Sequence, residues 1–227
     1  MQRAIRLLAL VLILGLGALW SAAWFGRQAG EPLGASFMRQ MAALTGREAP
    51  PPTVANGGIQ LPAGMSMGGA FTMQDQDGRT VTQADFGGRL LVGYFGYTFC
   101  PDVCPTELGA IAAAMDLLSP TEAERTTPLF ITVDAERDKP EQMKSYVSNF
   151  HPRMVGLTGT PEQVAAMAKS FRVFYAKVQR PEMSEYLMDH SSFIYLIGAD
   201  GRVRALLRPQ TPPEEIAAAI RAQLPRA

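Results

Sequence analysis

The chain reads as a three-layer α/β domain behind a membrane-spanning N-terminal helix, and three observations carry that reading. Apolar, β-rich runs recur without polar alternation, as strands buried on both faces require. Between them lie helical stretches that open on Pro or Thr-Pro. One uninterrupted apolar run near the start is long enough to cross a bilayer. The 227 residues carry 21 basic and 21 acidic side chains, so no net field would draw in nucleic acid. Two cysteines and two histidines are too few for a disulfide scaffold or a cysteine-rich metal cluster.

The first element is the apolar run. Leu7 to Phe25 holds 19 residues without a charge, about 28 Å as a helix against a bilayer core of about 30 Å. Arg3 and Arg6 precede it, and Trp20 and Trp24 sit near its outer end, where indoles favour the interface. A cleaved signal peptide, with Ser21 and Ala23 before the cut, is the rival reading. The anchor is favoured because the run is long for a signal sequence and continues past that site. A six-residue leader stays on the cytoplasmic side and everything after the anchor is exported. Residues 1–26 are thus expected to be the anchor. Residues 27–68, rich in Pro and Gly, form a flexible linker in which Met65 and Met67 are incidental. Residues 69–227 form the folded domain.

Within that domain "AFTMQDQDGRTVTQADF" predicts two short strands around an Asp-Gly turn. "RLLVGYF" and "LFITV" predict buried strands, separated by a helix in which Pro105 suits the first turn and which Ser119-Pro120 ends. "PEQMKSYVSNF" is a second helix, "RMVGLTG" a short strand, and "TPEQVAAMAKSF" a third helix opened by Thr160-Pro161. "FIYLIG" and "RVRALLR" flank Asp200-Gly201 as a hairpin, and "TPPEEIAAAIRAQL" closes the chain as a helix. The order βαβ…ββα is that of the thioredoxin superfamily, here with an added N-terminal hairpin and a helical insertion.

Cys100 and Cys104, in "YTFCPDVCPTEL", lie between the end of a buried strand and the start of a helix. Open α/β sheets place their sites there. Cys104 falls at the N-cap or first turn, where unpaired amides and the helix dipole would lower its pKa. An i, i+4 pair presents both sulfurs on one face, a good grip for a soft cation such as Cu(I). The spacing also admits a disulfide. A purely stabilising bridge is disfavoured, because closing so short a loop removes little unfolded-state entropy.

Any third ligand must come from His151 or His190. His151, in "NFHPRM", reads as a surface turn residue. His190 follows "QRPEMSEYLMD", which carries little secondary-structure signal, and immediately precedes a strand. In thioredoxin-like chains the start of that strand faces the cysteine loop, at a position that normally carries a cis-proline. Ser192 takes that place here and sets His190 opposite Cys100 and Cys104. Two thiolates and a neutral imidazole make a three-coordinate Cu(I) site, and the imidazole also suits Cu(II).

"GYTFCPDVCPTEL", "VDAERDKP" and "YLMDHSSFIYLIGADG", in this order behind one anchor, resemble the Sco (SenC) family over roughly residues 69–225. That resemblance implies a thioredoxin-like copper protein of the bacterial inner membrane, its soluble domain in the periplasm, that assists assembly of cytochrome c oxidase. It implies copper bound by Cys100, Cys104 and His190 and delivered to the oxidase's copper-bearing subunit, with periplasmic copper carriers or thiol reductants as further partners. The alternative it leaves open is a thiol–disulfide oxidoreductase that keeps the oxidase cysteines reduced, with Cys100 attacking and Cys104 resolving. A thiol peroxidase is a third reading, since Thr98-x-Cys100 lacks the usual Thr-x-x-Cys spacing. Ala135 and Ala199 stand where relatives often have proline. Asp102, between the cysteines, is expected to help a partner dock or merely to solvate the loop, and Asp189 to orient the imidazole, meet a basic partner or stand as an exposed turn residue. Asp134, Arg137 and Asp138 repeat a family pattern, and Asp138 with Glu141 reads locally as a cap for the next helix. Met183 and Met188 read as loop packing.

Overall fold

The computed structural model describes residues 6, 15, 17, 20–21, 58–59, 61, 66–179, 181 and 184–224. The chain divides into two compact units, Met1–Ala55 and Asn56–Ala227. In the first, Arg6, Gly15, Gly17, Trp20 and Ser21 are helical. The Ser21 hydroxyl donates to the Gly17 carbonyl one turn back (2.8 Å). The rest of the expected span lies outside the described residues, and among those described no helix is long and apolar enough to cross a membrane.

The second unit is built on two parallel strands that no water reaches. Every residue of β4 (Leu90–Gly96) and β5 (Thr126–Thr132) is buried, and they pair from Leu90 opposite Thr126 to Gly96 opposite Thr132. Such strands need cover on both faces. Side chains alternate across a strand, so Tyr94 and Phe95 point to opposite layers. On one side α1 (Val103–Asp116) and α5 (Pro213–Gln223) pack on each other and on β4. There α3 (Pro140–Val147) also lies, with Tyr146 against Phe130 of β5 at 5.1 Å between ring centres. On the other side α4 (Pro161–Ser170) ends at Phe171, whose ring stands 5.6 Å from Phe95. Helix α4 opens on a reciprocal cap between Thr160 and Gln163, an arrangement that contributes about 1 kcal/mol.

The described strands of the main sheet run β1 (Gly58–Ile59), β10 (Val203–Leu207), β9 (Ile194–Ile197), β4, β5, β6 (Val155–Thr158), β2 (Thr72–Asp75), β3 (Thr80–Thr82). The β2–β3 hairpin turns at Asp77-Gly78, where Gly78 has φ +76°, a conformation that costs glycine little. The expected β9–β10 hairpin and closing helix are present, with a short helix α2 (Pro120–Glu124) beyond the expected stop at Ser119-Pro120. Two features depart from the expectation. Part of the segment read as linker joins the domain: Gly58 and Ile59 pair with Leu207 and Leu206, and Met67 is buried. The stretch before β9 carries a separate two-stranded sheet, β7 (Tyr175–Val178) with β8 (Leu187–His190).

Candidate metal centre

Strand β4 ends at Gly96, and seven residues later α1 begins at Val103. A Cβ at Gly96 would lie 2.7 Å from Cys104 Sγ and 2.9 Å from the Phe130 ring. Glycine is therefore what lets the first turn of α1 settle onto the strand end. Cys104 is fully buried there, and Cys100, in the loop, is half-buried; both are free thiols. The loop is held from below by Asp138, itself fully buried. Its carboxylate accepts from the Thr98 amide (3.0 Å), the Thr98 hydroxyl (2.5 Å) and the Thr132 hydroxyl (2.6 Å). Burial pushes the Asp138 carboxyl up, against the pull of those bonds.

His190 comes from the other side as the last residue of β8, opposite Tyr175. Its Nδ1 lies 3.0 Å from the Ser191 carbonyl, which can only accept, so Nδ1 carries the proton and Nε2 is the free lone pair. Nε2 points at Cys104 Sγ, 3.4 Å away. Tyr94 and Tyr97 stand edge-on to the imidazole, at 6.1 and 5.9 Å between ring centres, and fix its plane. The ligand atoms of Cys100, Cys104 and His190 all lie within 4.8 Å of one another. One ion held at about 2.0–2.3 Å, the usual metal–nitrogen and metal–sulfur range, bridges such a gap with small side-chain adjustments. Two sulfurs and one imidazole form a soft donor set suited to copper.

The electrostatics divide the two thiols. Cys100 is held well below the usual thiol range, first by a hydrogen bond from Cys104, then by contacts to His190 and to the Asp102 and Cys104 amides. Cys104 is pushed far up by the same bond and by burial. Cys104 therefore keeps its proton, its sulfur 3.4 Å from the His190 Nε2 lone pair, and Cys100 is the thiol held low. This corrects the sequence expectation, which placed the lowered thiol at Cys104. The helix N-terminus does supply its amides, but to the sulfur outside it.

The remaining expected residues fall in three places. Asp102 and Asp189 are exposed beside the ligands and make no side-chain bond among the described residues. Asp134 and Arg137 form a 2.6 Å ion pair largely out of solvent. Asp138 does not cap α3, whose N-cap is Lys139 without a side-chain bond; buried, it faces no partner and braces the cysteine loop instead. Met188 is buried, whereas Met65 and Met183 lie outside the described residues. His151 sits in the turn after α3, accepting from the Arg153 amide (3.1 Å). Sequence reasoning missed Gly96, Tyr94 and Tyr97, although the alternation in "GYFGYTFC" sets Tyr94 and Gly96 on one face. It also missed Glu107, one turn beyond Cys104. That carboxylate is buried, accepts from the Gln210 amide (2.7 Å), and leaves its second oxygen without a protein partner.

The SCO1/SenC family model matches residues 60–225. Protein sco1 of Schizosaccharomyces pombe is 39% identical over 156 residues, which cover 68% of this chain and 59% of that protein. The chain spans about half the length of the curated relatives it matches. Among solved structures, Bradyrhizobium japonicum ScoI with copper bound superposes with a TM-score of 0.64 at 40% identity, covering 70% of this chain and 99% of that one. BsSco, described as carrying a disulfide switch and as a member of the Sco family of cytochrome c oxidase assembly proteins, superposes at 0.54 with 28% identity, covering 72% and 96%. These neighbours share the thioredoxin-like α/β fold.

Proposed function

Because the chain belongs to the SCO1/SenC family, we propose that it is a copper metallochaperone for the copper-bearing subunit of cytochrome c oxidase. Cys100, Cys104 and His190 are its copper ligands. The single observation that carries this reading is the convergence within 4.8 Å of two sulfurs from the β4–α1 junction and one imidazole from the end of β8. Cu(I) accepts two or three soft ligands, so a third donor can leave while the thiolates keep their hold. Loading displaces the proton that the buried Cys104 thiol retains. Handover then proceeds by ligand exchange, an incoming thiolate or imidazole replacing His190 first and the half-buried Cys100 next. Residues 1–26 anchor the chain in the bacterial cytoplasmic membrane, and the spacer runs from residue 27 only to where the domain begins, before Gly58. The domain works in the periplasm, with copper carriers and thiol reductants as further partners.

A second reading is favoured by a specific observation, the lowered and half-buried Cys100 thiol over a buried Cys104. As a thiol–disulfide reductase, Cys100 thiolate would attack a partner disulfide and expel one partner thiolate. Cys104 would then attack Cys100 Sγ and release the second. Two electrons pass to the partner, which becomes a dithiol, and Cys100–Cys104 becomes the disulfide.

Only the copper reading needs the histidine. His190→Ala in the detergent-solubilised chain is expected to weaken Cu(I) affinity by more than the about 10–100-fold that loss of a supporting contact brings. The variant dithiol should still oxidise to one disulfide per chain. An unchanged copper affinity, read by competition with a Cu(I) chelator, sinks the metallochaperone site and leaves the reductase.

A further inference from the structure

The imidazole ligand is carried on a small sheet that, among the described residues, no strand ladder ties to the main one. Beside the β7–β8 hairpin a half-open pocket of about 380 Å³ runs between it and the turn after β5, lined among others by Val133, Glu136, Val164, Tyr175, Lys177 and Met188. Met188 packs into the core, and polar contacts to the turn after β5 also join the two bodies. Lys177 Nζ donates to Glu136 (2.8 and 2.9 Å), and the Tyr186 hydroxyl donates to Asp134 (2.9 Å). The exposed lysine pair contributes little by itself.

Arg137 differs from these contacts in what it spans. Its Nε donates to Asp134 (2.6 Å) and its Nη1 to the Tyr186 carbonyl (3.0 Å), just before β8. The guanidinium carbon lies 3.6 Å from the Tyr186 ring centre, 4.8 Å from that of Phe99 and 5.8 Å from that of Tyr97. Phe99 is the residue before Cys100, and Tyr97 is one of the two rings against His190. One planar cation thus touches the cysteine loop, the wall of the imidazole and the entry to the histidine strand. Arginine is the residue for this position, since it stays charged and can stack and donate at once, whereas an ammonium cannot.

We infer that Arg137 is a positioning residue that latches the β7–β8 hairpin over the cysteine loop and so sets how often His190 withdraws from the two sulfurs. The inference rests on the copper reading of the site for its consequence, but the latch itself does not. With the latch closed, three donors converge. With it open, the hairpin lifts away from the cysteine loop and an incoming ligand finds the two sulfurs without the imidazole. Partner binding that competes for the Phe99 or Tyr186 face of the guanidinium would release the ligand from outside.

The test compares Arg137→Ala and Arg137→Lys with the wild type as full chains in detergent. In the metal-free proteins, amide hydrogen exchange in β7 and β8 is expected to rise about tenfold or more in Arg137→Ala. Arg137→Lys should rescue only part of it, and β4 and β5 should exchange at the wild-type rate. Copper release to a Cu(I) chelator should accelerate by a similar factor, and adding Arg137→Ala to His190→Ala should accelerate it no further. Faster exchange spread evenly over the main sheet, full rescue by lysine, or additive acceleration in the double variant overturns the latch. A wild-type chain that binds no copper would refute the copper reading, while the exchange comparison still decides on Arg137.

Discussion

The two sides of the site are built differently. The cysteine side is anchored in the central strand: β4 is buried along its whole length, Gly96 admits α1 to within contact, and Asp138 ties the loop with three hydrogen bonds. The histidine side rests on a two-stranded sheet beside a half-open pocket, held by an ion pair, a stacked arginine and two tyrosines. A site meant only to store metal would gain from rigidity on both sides. On the copper reading proposed above, one rigid and one releasable side suits a metal that has to leave, because the proposed order of ligand loss then follows from the fold.

Variants that act on one side alone sharpen that comparison. The largest effect is expected from Cys104→Ala, which removes a proposed copper ligand and the neighbour that most lowers the Cys100 thiol. Stoichiometric copper binding should disappear, with the Cys100 thiol pKa returning toward the usual value, as iodoacetamide rates against pH would record. Copper retained at one equivalent would mean that the sulfurs do not form the base of the site. Next comes Asp138→Ala, which strands the Thr98 amide and the Thr98 and Thr132 hydroxyls in the interior. A loss of about 2–4 kcal/mol in urea unfolding is expected, with the hairpin amides no more labile than the rest. If the hairpin loosens first, the division between the two sides is wrong.

The smallest effect belongs to Glu107, below both sides. Burial raises its carboxyl above the ordinary 4.5, only partly offset by the Gln210 amide. A raised folded-state pKa favours the protonated form, so its contribution is fully present below 4.5 and lost as pH climbs through the folded value. Glu107→Gln keeps an acceptor for Gln210 and removes the buried charge. Its Tm should match or exceed wild type at pH 7, with the difference closing as pH falls toward 4.5. A variant less stable by the same margin at every pH would show that Gln210 needs the full carboxylate.

Legibility in the sequence followed the range of the interactions. "RLLVGYF" and "LFITV" announced buried strands because burial on both faces leaves a continuous apolar signature, and Thr160-Pro161 announced α4 because a cap is a local bond. The cysteine pair and His190 were found because the strand order places their loops together. Asp138 was misread because its nearest sequence neighbours suggest a cap, while its actual partner Thr98 lies 40 residues away. The β7–β8 ladder escaped because it is short, with Lys177 and Asp189 exposed and the partly buried Tyr175, Ala176, Val178 and Leu187 giving no clean alternation. Strand β1 has two residues and no pattern to read. The lowered thiol was assigned to Cys104 because a helix dipole is visible in sequence, whereas the depth at which each sulfur sits is not.

Copper K-edge X-ray absorption on the loaded chain, with and without His190→Ala, bears on the account most directly. Two sulfur scatterers and one imidazole nitrogen are expected in the wild type, the nitrogen vanishing and both sulfurs persisting in the variant. A sulfur-only first shell in the wild type, or a nitrogen that survives the substitution, would contradict a site closed by His190.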